Sequence, residues 1–354
     1  MNHVNMGGVA LALTLALPAA DFGTVPDPYT GNWTGTLMVN GREEPLHATV
    51  IAYRNRHEVA LRAEPDPRKA AVVILNGTAQ ADHLVLAPTL SPPTSPRTAG
   101  PWIGAETGAA QWQGRVDSRE ITGTLTGRET GSFNLRKVPF TPSPTLGARA
   151  PAGAEVLFAG TRLDAWESRR SPGEPIQWVL TGSGAVEIVS ANAGKRAKQD
   201  LKTKDSFRDY HLHLEFKLAH KPEATGQGRS NSGVIHLGLY ETQILDSFGL
   251  HGRDNECGGI YRIREPDQNA SYPAGLWQTY DIDFQAPRFS PEGAKTAAAR
   301  MTVRLNGVLI HNNVSVPQPT AGGKETERGP IVLQDHGNPV QFRNIWLQRR
   351  NENE

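Results

Sequence analysis

The stretch HLHLEFKL, residues 211–218, alternates without a break: Leu212, Leu214, Phe216 and Leu218 lie on one side of an extended chain, and His211, His213, Glu215 and Lys217 on the other. Side chains of a β-strand point alternately to the two faces of a sheet, so this run can bury one continuous apolar face only as a strand. The pattern recurs. In WQTYDIDFQ, Tyr280, Ile282 and Phe284 oppose Thr279, Asp281 and Asp283. RMTVRLNGVLIHNNV sets Met301, Val303 and Leu305 inward, then turns at Asn306-Gly307, a dipeptide suited to a type I′ hairpin. Amphipathic helical stripes are missing, and without strand and helix in alternation nothing calls for a parallel sheet. The chain reads as all-β, with an antiparallel sandwich in its C-terminal part.

The first half carries shorter strands of the same kind. GNWTGTLMVNG ends on Asn40-Gly41, a second hairpin signal, and HATVIAYRNRHEVALRAEP, AAVVILNG, DHLVLAPTL, QWQGRVD and REITGTLTGRETGSFNLRKV continue a meander over residues 28–138. Such a meander closes into a small antiparallel barrel or sandwich. GNWTGTL and GSFNLRKV resemble the first and last strands of small lipocalin-like barrels. The Pro-, Ser- and Gly-rich stretch at 87–108 reads as a long surface loop, and residues 139–153, which lose all periodicity, as an interdomain linker. At the start, an apolar run from Val9 to Leu17 followed by Ala19 and Ala20 reads as a signal peptide over residues 1–20, too short to span a bilayer. An exported protein of a bacterial periplasm or cell envelope is expected.

Charge excludes one class of partner. The 37 Lys and Arg residues balance 36 Asp and Glu to a net +1, which gives no broad field to recruit nucleic acid or an anionic membrane. The single cysteine, Cys257, has no partner for an internal disulfide and reads as packing.

Polar residues are concentrated elsewhere. Seven of the eleven histidines lie between His211 and His336, and the stretch 230–261 sets Glu241, Gln243, Asp246 and His251 in and after an apolar strand. Carboxylates in such a run cost free energy when desolvated unless paired, hydrogen-bonded or facing a cleft. Strand parity sorts them: Glu241 and Gln243 share one face, while His236, Tyr240 and Asp246 take the other unless a bulge, for which Gly238 is suited, intervenes. A further group, Gln334, Asp335, His336 and Asn338, precedes the last strand.

NSGV, YETQILDSFG, CGGIY, WQTYDIDFQAPRF, LNGVLIHNNV and GPIVLQDHGNPVQFRNIW follow one another here as they do in the 3-keto-disaccharide hydrolase domain family, and EVLFAGTRLDAWES resembles that family's first strand. The resemblance covers residues 154–350 and leaves the N-terminal domain outside. It implies a concanavalin A-like jelly roll, usually exported, acting on glycosides that a separate dehydrogenase has oxidised at C3. Members cleave the glycosidic bond by hydrolysis or by β-elimination. A ketone at C3 acidifies the C2 hydrogen, so a general base can remove it while a polar donor stabilises the enolate and the aglycone leaves from C1.

Carried over by motif position, Glu241, Gln243, Asp246, Asp335, His336 and Asn338 would lie at or beside the sugar. Glu241 or His336 would be the base, with Asp335 converging on the same cavity, and Arg343 would polarise the C3 oxygen or pair with Asp335. After NSGV the chain departs from its relatives with Ile235, His236 and Leu237, so that either His236 would substitute as a sugar contact on that strand or this member would act on a different sugar or aglycone. The expected partner is a small oxidised sugar. A divalent metal on these oxygens and nitrogens, or on His211 and His213, would supply a Lewis acid; sequence leaves open whether one is used, and leaves the oligomeric state open too. Two alternatives stand beside the enzyme: a non-catalytic carbohydrate-binding module with Trp277 and Tyr261 stacked on a pyranose, and a structural envelope protein. Convergence of the polar residues on one cavity separates them.

Overall fold

The computed structural model of the protein describes residues 21–69, 71–88, 110–127, 129–189, 198–320 and 322–350. The expected signal peptide and most of the 87–108 loop lie outside them.

Eight antiparallel strands form the N-terminal domain: β1 (Gly31–Val39), β2 (Arg42–Tyr53), β3 (Arg56–Arg62), β4 (Val73–Gln80), β5 (His83–Pro88), β6 (Ala110–Val116), β7 (Glu120–Gly127) and β8 (Gly131–Val138). Each pairs with the next and β8 returns to β1, closing a barrel that leaves no sheet edge. Asn40 and Gly41 join β1 to β2 with φ of 49° and 78°, the left-handed pair that a type I′ turn requires. Trp33, Leu61, Trp112, Phe133 and Leu135 fill the barrel interior. A Cβ on Gly123 would stand 2.2 Å from the Phe133 ring, so glycine there makes room for that ring.

Fifteen strands follow. They begin with β9 (Glu155–Phe158), β10 (Trp166–Ser168), β11 (Val179–Leu180), β12 (Val186–Glu187) and β13 (Leu201–Thr203). Next come β14 (Tyr210–Leu218), β15 (Ser232–His236), β16 (Tyr240–Ile244), β17 (Trp277–Gln285) and β18 (Arg288–Phe289). Last are β19 (Lys295–Ala297), β20 (Ala299–Leu305), β21 (Val308–Val316), β22 (Val332–Leu333) and β23 (Val340–Arg349). One sheet runs β10-β13-β22-β15-β16 and a larger one β11-β12-β23-β14-β17-β20-β21, packed face to face as a jelly-roll sandwich. The alternating stripes set the packing: Leu212, Leu214, Phe216, Tyr280, Ile282, Phe284, Met301 and Val303 meet Leu201, Val234, Tyr240, Ile244 and Leu333 of the smaller sheet in one core.

In the polar half of the β14 and β17 stripes His213, Glu215, Thr279 and Asp281 are buried, whereas His211, Lys217 and Asp283 toward the ends stay partly exposed. The segment between β8 and β9 lies across it: Ser143 Oγ is 2.6 Å from Thr279 Oγ1, Thr145 donates to Asp281 at 2.6 Å, and the Gly147 amide donates to Glu215 at 2.6 Å. Asn344, at φ 45°, is the extra residue of a bulge between β14 and β23, and its side-chain amide donates both to Glu215 and to the Ala148 carbonyl. His213 and Asp281 complete this buried network at 2.7 Å. The connection is therefore strapped to the sandwich. The barrel is held a second time where Phe248 packs on Ile51 and Tyr53 and Arg229 donates to the Ala52 carbonyl at 3.1 Å.

Candidate active site

Strands β15 and β16 pair in unbroken register from Ser232↔Ile244 to His236↔Tyr240. Gly238, at φ 71°, sits in the turn between them and makes no bulge, so parity holds over the hairpin. Val234, His236, Tyr240, Thr242 and Ile244 point into the sandwich; Gly233, Ile235, Glu241 and Gln243 point outward. Val332 and Gln334 continue the outward face on and beyond β22, and Lys202 with Glu167 on β13 and β10. One residue past the β10 and β13 pairing, the Arg169 amide donates to the Asp200 carbonyl, which sets both side chains on this face as well.

Glu241 stands on that face at β16, the outer strand of the sheet. It is 5% exposed, beside Ile235 and Val332 at 1% and 0%. Its amide donates to Thr320 Oγ1 at 2.6 Å and its carbonyl accepts from the Tyr261 amide at 3.0 Å, but among the described residues nothing hydrogen-bonds its carboxyl group. Burial in this apolar setting, reinforced by the negative charge of Asp200 and opposed by Arg169, raises the carboxyl from 4.5 to about 7. Such a group changes protonation near neutrality, as a general base must. The space for it comes from Gly233: a Cβ there would lie 2.4 Å from Glu241 Oε1.

Asp200 ties the surroundings together. Its Oδ1 accepts the Asp335 amide at 2.9 Å and its Oδ2 lies 3.5 Å from Arg169 Nη1. Asp335 in turn accepts the Gln199 amide at 2.9 Å and, through an Asx-type turn, the Gly337 amide at 2.8 Å. Asp335 thus fixes the loop that carries His336 while its own oxygens are occupied by backbone. His336 is exposed at the rim, and its imidazole is pushed below the usual range by partial burial and then by Lys198. On the far side of Asp200 an open cleft of about 580 Å³ is lined by Ser168, Ser171, Gln177, Lys198 and Gln199 among others.

Gln243 lies in a carboxamide cluster: it and Asn231 both donate to Gln227 Oε1, at 3.0 and 2.9 Å, and Gln227 donates to the Asn255 carbonyl at 2.8 Å. Two acceptors on or beside this face, Asn231 Oδ1 and Gln334 Oε1, are buried without a partner among the described residues. Asn338 accepts from Lys221 at 2.7 Å, and Tyr261 is half-buried beside the Glu241 backbone with Arg262 over its ring.

The remaining expected contacts lie elsewhere. His236 is sealed in the core between Tyr210 and Thr242, at 2.9 and 3.1 Å, stacked on Phe284; burial lowers it to about 3 and keeps it neutral, so it does not replace a sugar contact. Asp246 pairs with Arg229 against the barrel, because the chain bends there from β16 toward β2. Arg343 belongs to the larger sheet: it binds Glu215 at 2.6 Å, covers Trp277 at 4.0 Å and reaches neither Asp335 nor Glu241. Trp277, beneath it and wholly buried, presents no ring to a pyranose. His211 and His213 each hold an aspartate on β17, Asp283 and Asp281. Among the described residues no three His, Cys, Asp or Glu side chains stand together as a metal site. Sequence reasoning passed over Arg169, Asp200 and Gly233. The first two flank strands of three residues, too short to show a period, and glycine carries no chemistry of its own.

Comparison with known proteins adds the family. A profile described as a 3-keto-alpha-glucoside-1,2-lyase-like domain matches residues 153–348. A crystal structure of a candidate glycosyl hydrolase from Parabacteroides distasonis is 33% identical, covers 61% of this chain and 93% of its own, and superposes with a TM-score of 0.50. Two further candidate glycosyl hydrolases of that organism match at 17% and 22% identity with TM-scores of 0.41 and 0.40, each covering 56% of this chain and 95% and 99% of their own. No curated protein shows significant similarity to the chain.

Proposed function

The chain belongs to the 3-keto-alpha-glucoside-1,2-lyase-like domain family, and from that premise we propose that its sandwich domain cleaves the glycosidic bond of a 3-keto-glycoside with Glu241 as the base. At the level of the family and its glycosyl-hydrolase relatives the protein is carbohydrate-active; the oxidised substrate is the finer reading. The observation that carries it is the Glu241 carboxyl: buried on an apolar floor, without a hydrogen-bond donor among the described residues, and held near neutrality. A carboxylate stripped of donors accepts a proton far more readily than one in water, which is what removal of a carbon-bound hydrogen demands.

In the reaction Glu241 takes the C2 proton, and the C–H electron pair passes into a C2=C3 enolate with its charge on O3. Return of that pair re-forms the C3 carbonyl, builds the C1=C2 double bond and expels the aglycone oxygen from C1, which takes up the proton. The product is an unsaturated 3-keto sugar, and addition of water across C1=C2 completes net hydrolysis. His336, at the rim, would contact the aglycone, and the departing oxygen takes up a proton from water or from the protonated Glu241. Asp335 positions the rim loop, while Gln243 and Asn338 supply polar groups beside the sugar. Export, read from the apolar run at Val9–Leu17, belongs to the same proposal.

The test is incubation of the purified protein with a C3-oxidised disaccharide and with its unoxidised parent, with and without EDTA, followed by mass spectrometry. Cleavage of the oxidised sugar alone is expected. Equal cleavage of the parent, or cleavage of neither, overturns the proposal.

A further inference from the structure

Removal of a proton next to a ketone needs a group to hold the charge that appears on the ketone oxygen, and base strength alone does not provide one. Most cations around the candidate site are committed to other partners. Lys202 pairs with Glu167 at 3.1 Å, Lys221 donates to Asn338, Arg229 pairs with Asp246, and Arg343 is bound to Glu215 in the other sheet. Lys198, at the rim, acts on His336.

Arg169 differs from all of these. It leaves the end of β10 on the same face as Glu241 and reaches the β15–β16 turn, where its Nη2 donates to the Gly238 carbonyl at 3.1 Å. Its Nη1 lies 3.5 Å from Asp200 Oδ2, a long contact. A guanidinium has five N–H donors in a fixed fork. With those two contacts made, Nε–H and one hydrogen on each terminal nitrogen have no partner among the described residues, and the side chain is 33% exposed. Two anchors hold the fork in place: the turn carbonyl, and an aspartate that the Asp335 amide itself fixes. Both side chains rise from the same outward face of the smaller sheet, Arg169 over the turn that joins the strand of Glu241 to its neighbour, and its positive charge opposes the rise of the Glu241 carboxyl.

Resting on the assignment of Glu241 as base, we infer that Arg169 is the electrophilic partner of the reaction: its free N–H groups bind O3 of the 3-keto unit and stabilise the enolate while the C2 proton is on Glu241. A preorganised donor of this kind contributes about 10²–10³ in rate, and a charged, planar donor suits an enolate better than an ammonium does.

The experiment uses the full chain and a C3-oxidised disaccharide. It measures kcat and KM, and also the exchange of the C2 hydrogen with deuterated solvent, which reports enolate formation independently of aglycone departure. Arg169→Ala is expected to lower kcat and C2 exchange together by about 10²–10³, with a smaller change in KM, and added guanidinium chloride at low millimolar concentration to restore part of both. Arg169→Lys, which keeps a cation in place should the alanine variant fold poorly, is expected to retain more exchange than alanine but less than wild type. Exchange at the wild-type rate in either folded variant overturns the role of Arg169 and leaves Glu241 untouched. A wild-type protein that neither exchanges C2 nor cleaves the sugar overturns both.

Discussion

Replacing Gly233 by alanine puts a methyl group where the Glu241 carboxyl now lies. The added Cβ would stand 2.4 Å from Oε1 and 3.1 Å from both Cδ and Cγ of Glu241, whereas ordinary contact begins at 3.4 Å. Oε1 must therefore retreat by about 1 Å, and the strand backbone cannot share the movement because β15 is paired on both sides, with β16 and β22. A base displaced by about 1 Å loses roughly 10² in rate, near 2.7 kcal/mol of barrier. Folding should be nearly unaffected: Gly233 has no left-handed φ, and alanine costs less backbone entropy than glycine in a strand. The assay is kcat on a C3-oxidised disaccharide beside a thermal melt. A fall of about 10² with the melting midpoint within about 3 °C of wild type is expected. Wild-type kcat in a folded Gly233→Ala protein would refute the placement of the base, since the methyl group cannot coexist with Glu241 where it now stands.

Three other outcomes follow from the same geometry. Glu241→Gln should abolish cleavage and stabilise the fold: with its carboxyl raised from 4.5 to about 7, the folded protein loses stability as pH climbs through that window, so the variant should gain about 2–3 kcal/mol at pH 8 and nothing at pH 4 in urea titrations. Equal stability at both pH values would contradict the shift. Asp200→Asn removes a charge that raises Glu241, so the rising limb of kcat/KM, expected near pH 7 in the wild type, should move to lower pH; a move to higher pH would assign the limb to another group. Arg343→Ala should cost about 3–5 kcal/mol at neutral pH by stripping the buried Glu215 of a cation. Glu215 sits at about 2 in the folded chain, so its stabilisation is full above 4.5 and fades as pH falls toward 2, and the cost should shrink with it.

The strands were readable because apolar and polar residues alternate along each long one, and a period of two survives in the seven to nine residues of β14, β17 and β20. The Asn40-Gly41 and Asn306-Gly307 turns were readable because few dipeptides tolerate two left-handed residues in succession. Parity on β15 and β16 was readable too, and it separated Glu241 from His236. The destination of each polar face was not. The sequence of β14 shows that His213 and Glu215 leave the core, but only the folded chain shows that residues 143–148 come back to cover them. Asp246 and Arg343 escaped for a similar reason: their partners, Arg229 with the Ala52 carbonyl and Glu215, come from distant elements that no local pattern names.

Two buried glutamates show how the partners of a carboxylate decide its use. Glu215 and Glu241 both lie on the outward side of a sandwich sheet, and burial pushes both toward the protonated form. Around Glu215 that push loses to His213, Asn344, Arg343 and the Gly147 amide, which hold it at about 2. Around Glu241 no donor among the described residues answers it, and the negative charge of Asp200 adds to the push while Arg169 opposes it, so the group rises to about 7. A fully donated carboxylate is a rigid anchor that cannot take up a proton near neutral pH without losing its contacts, and here it fastens the connection from the barrel to the sandwich. An undonated one weakens the fold at the pH where the protein would work, a cost that a purely structural residue would have no reason to carry. The same amino acid in the same kind of strand therefore serves assembly in one sheet and, in the proposed reaction, chemistry in the other, and the difference lies in the hydrogen bonds each has been given.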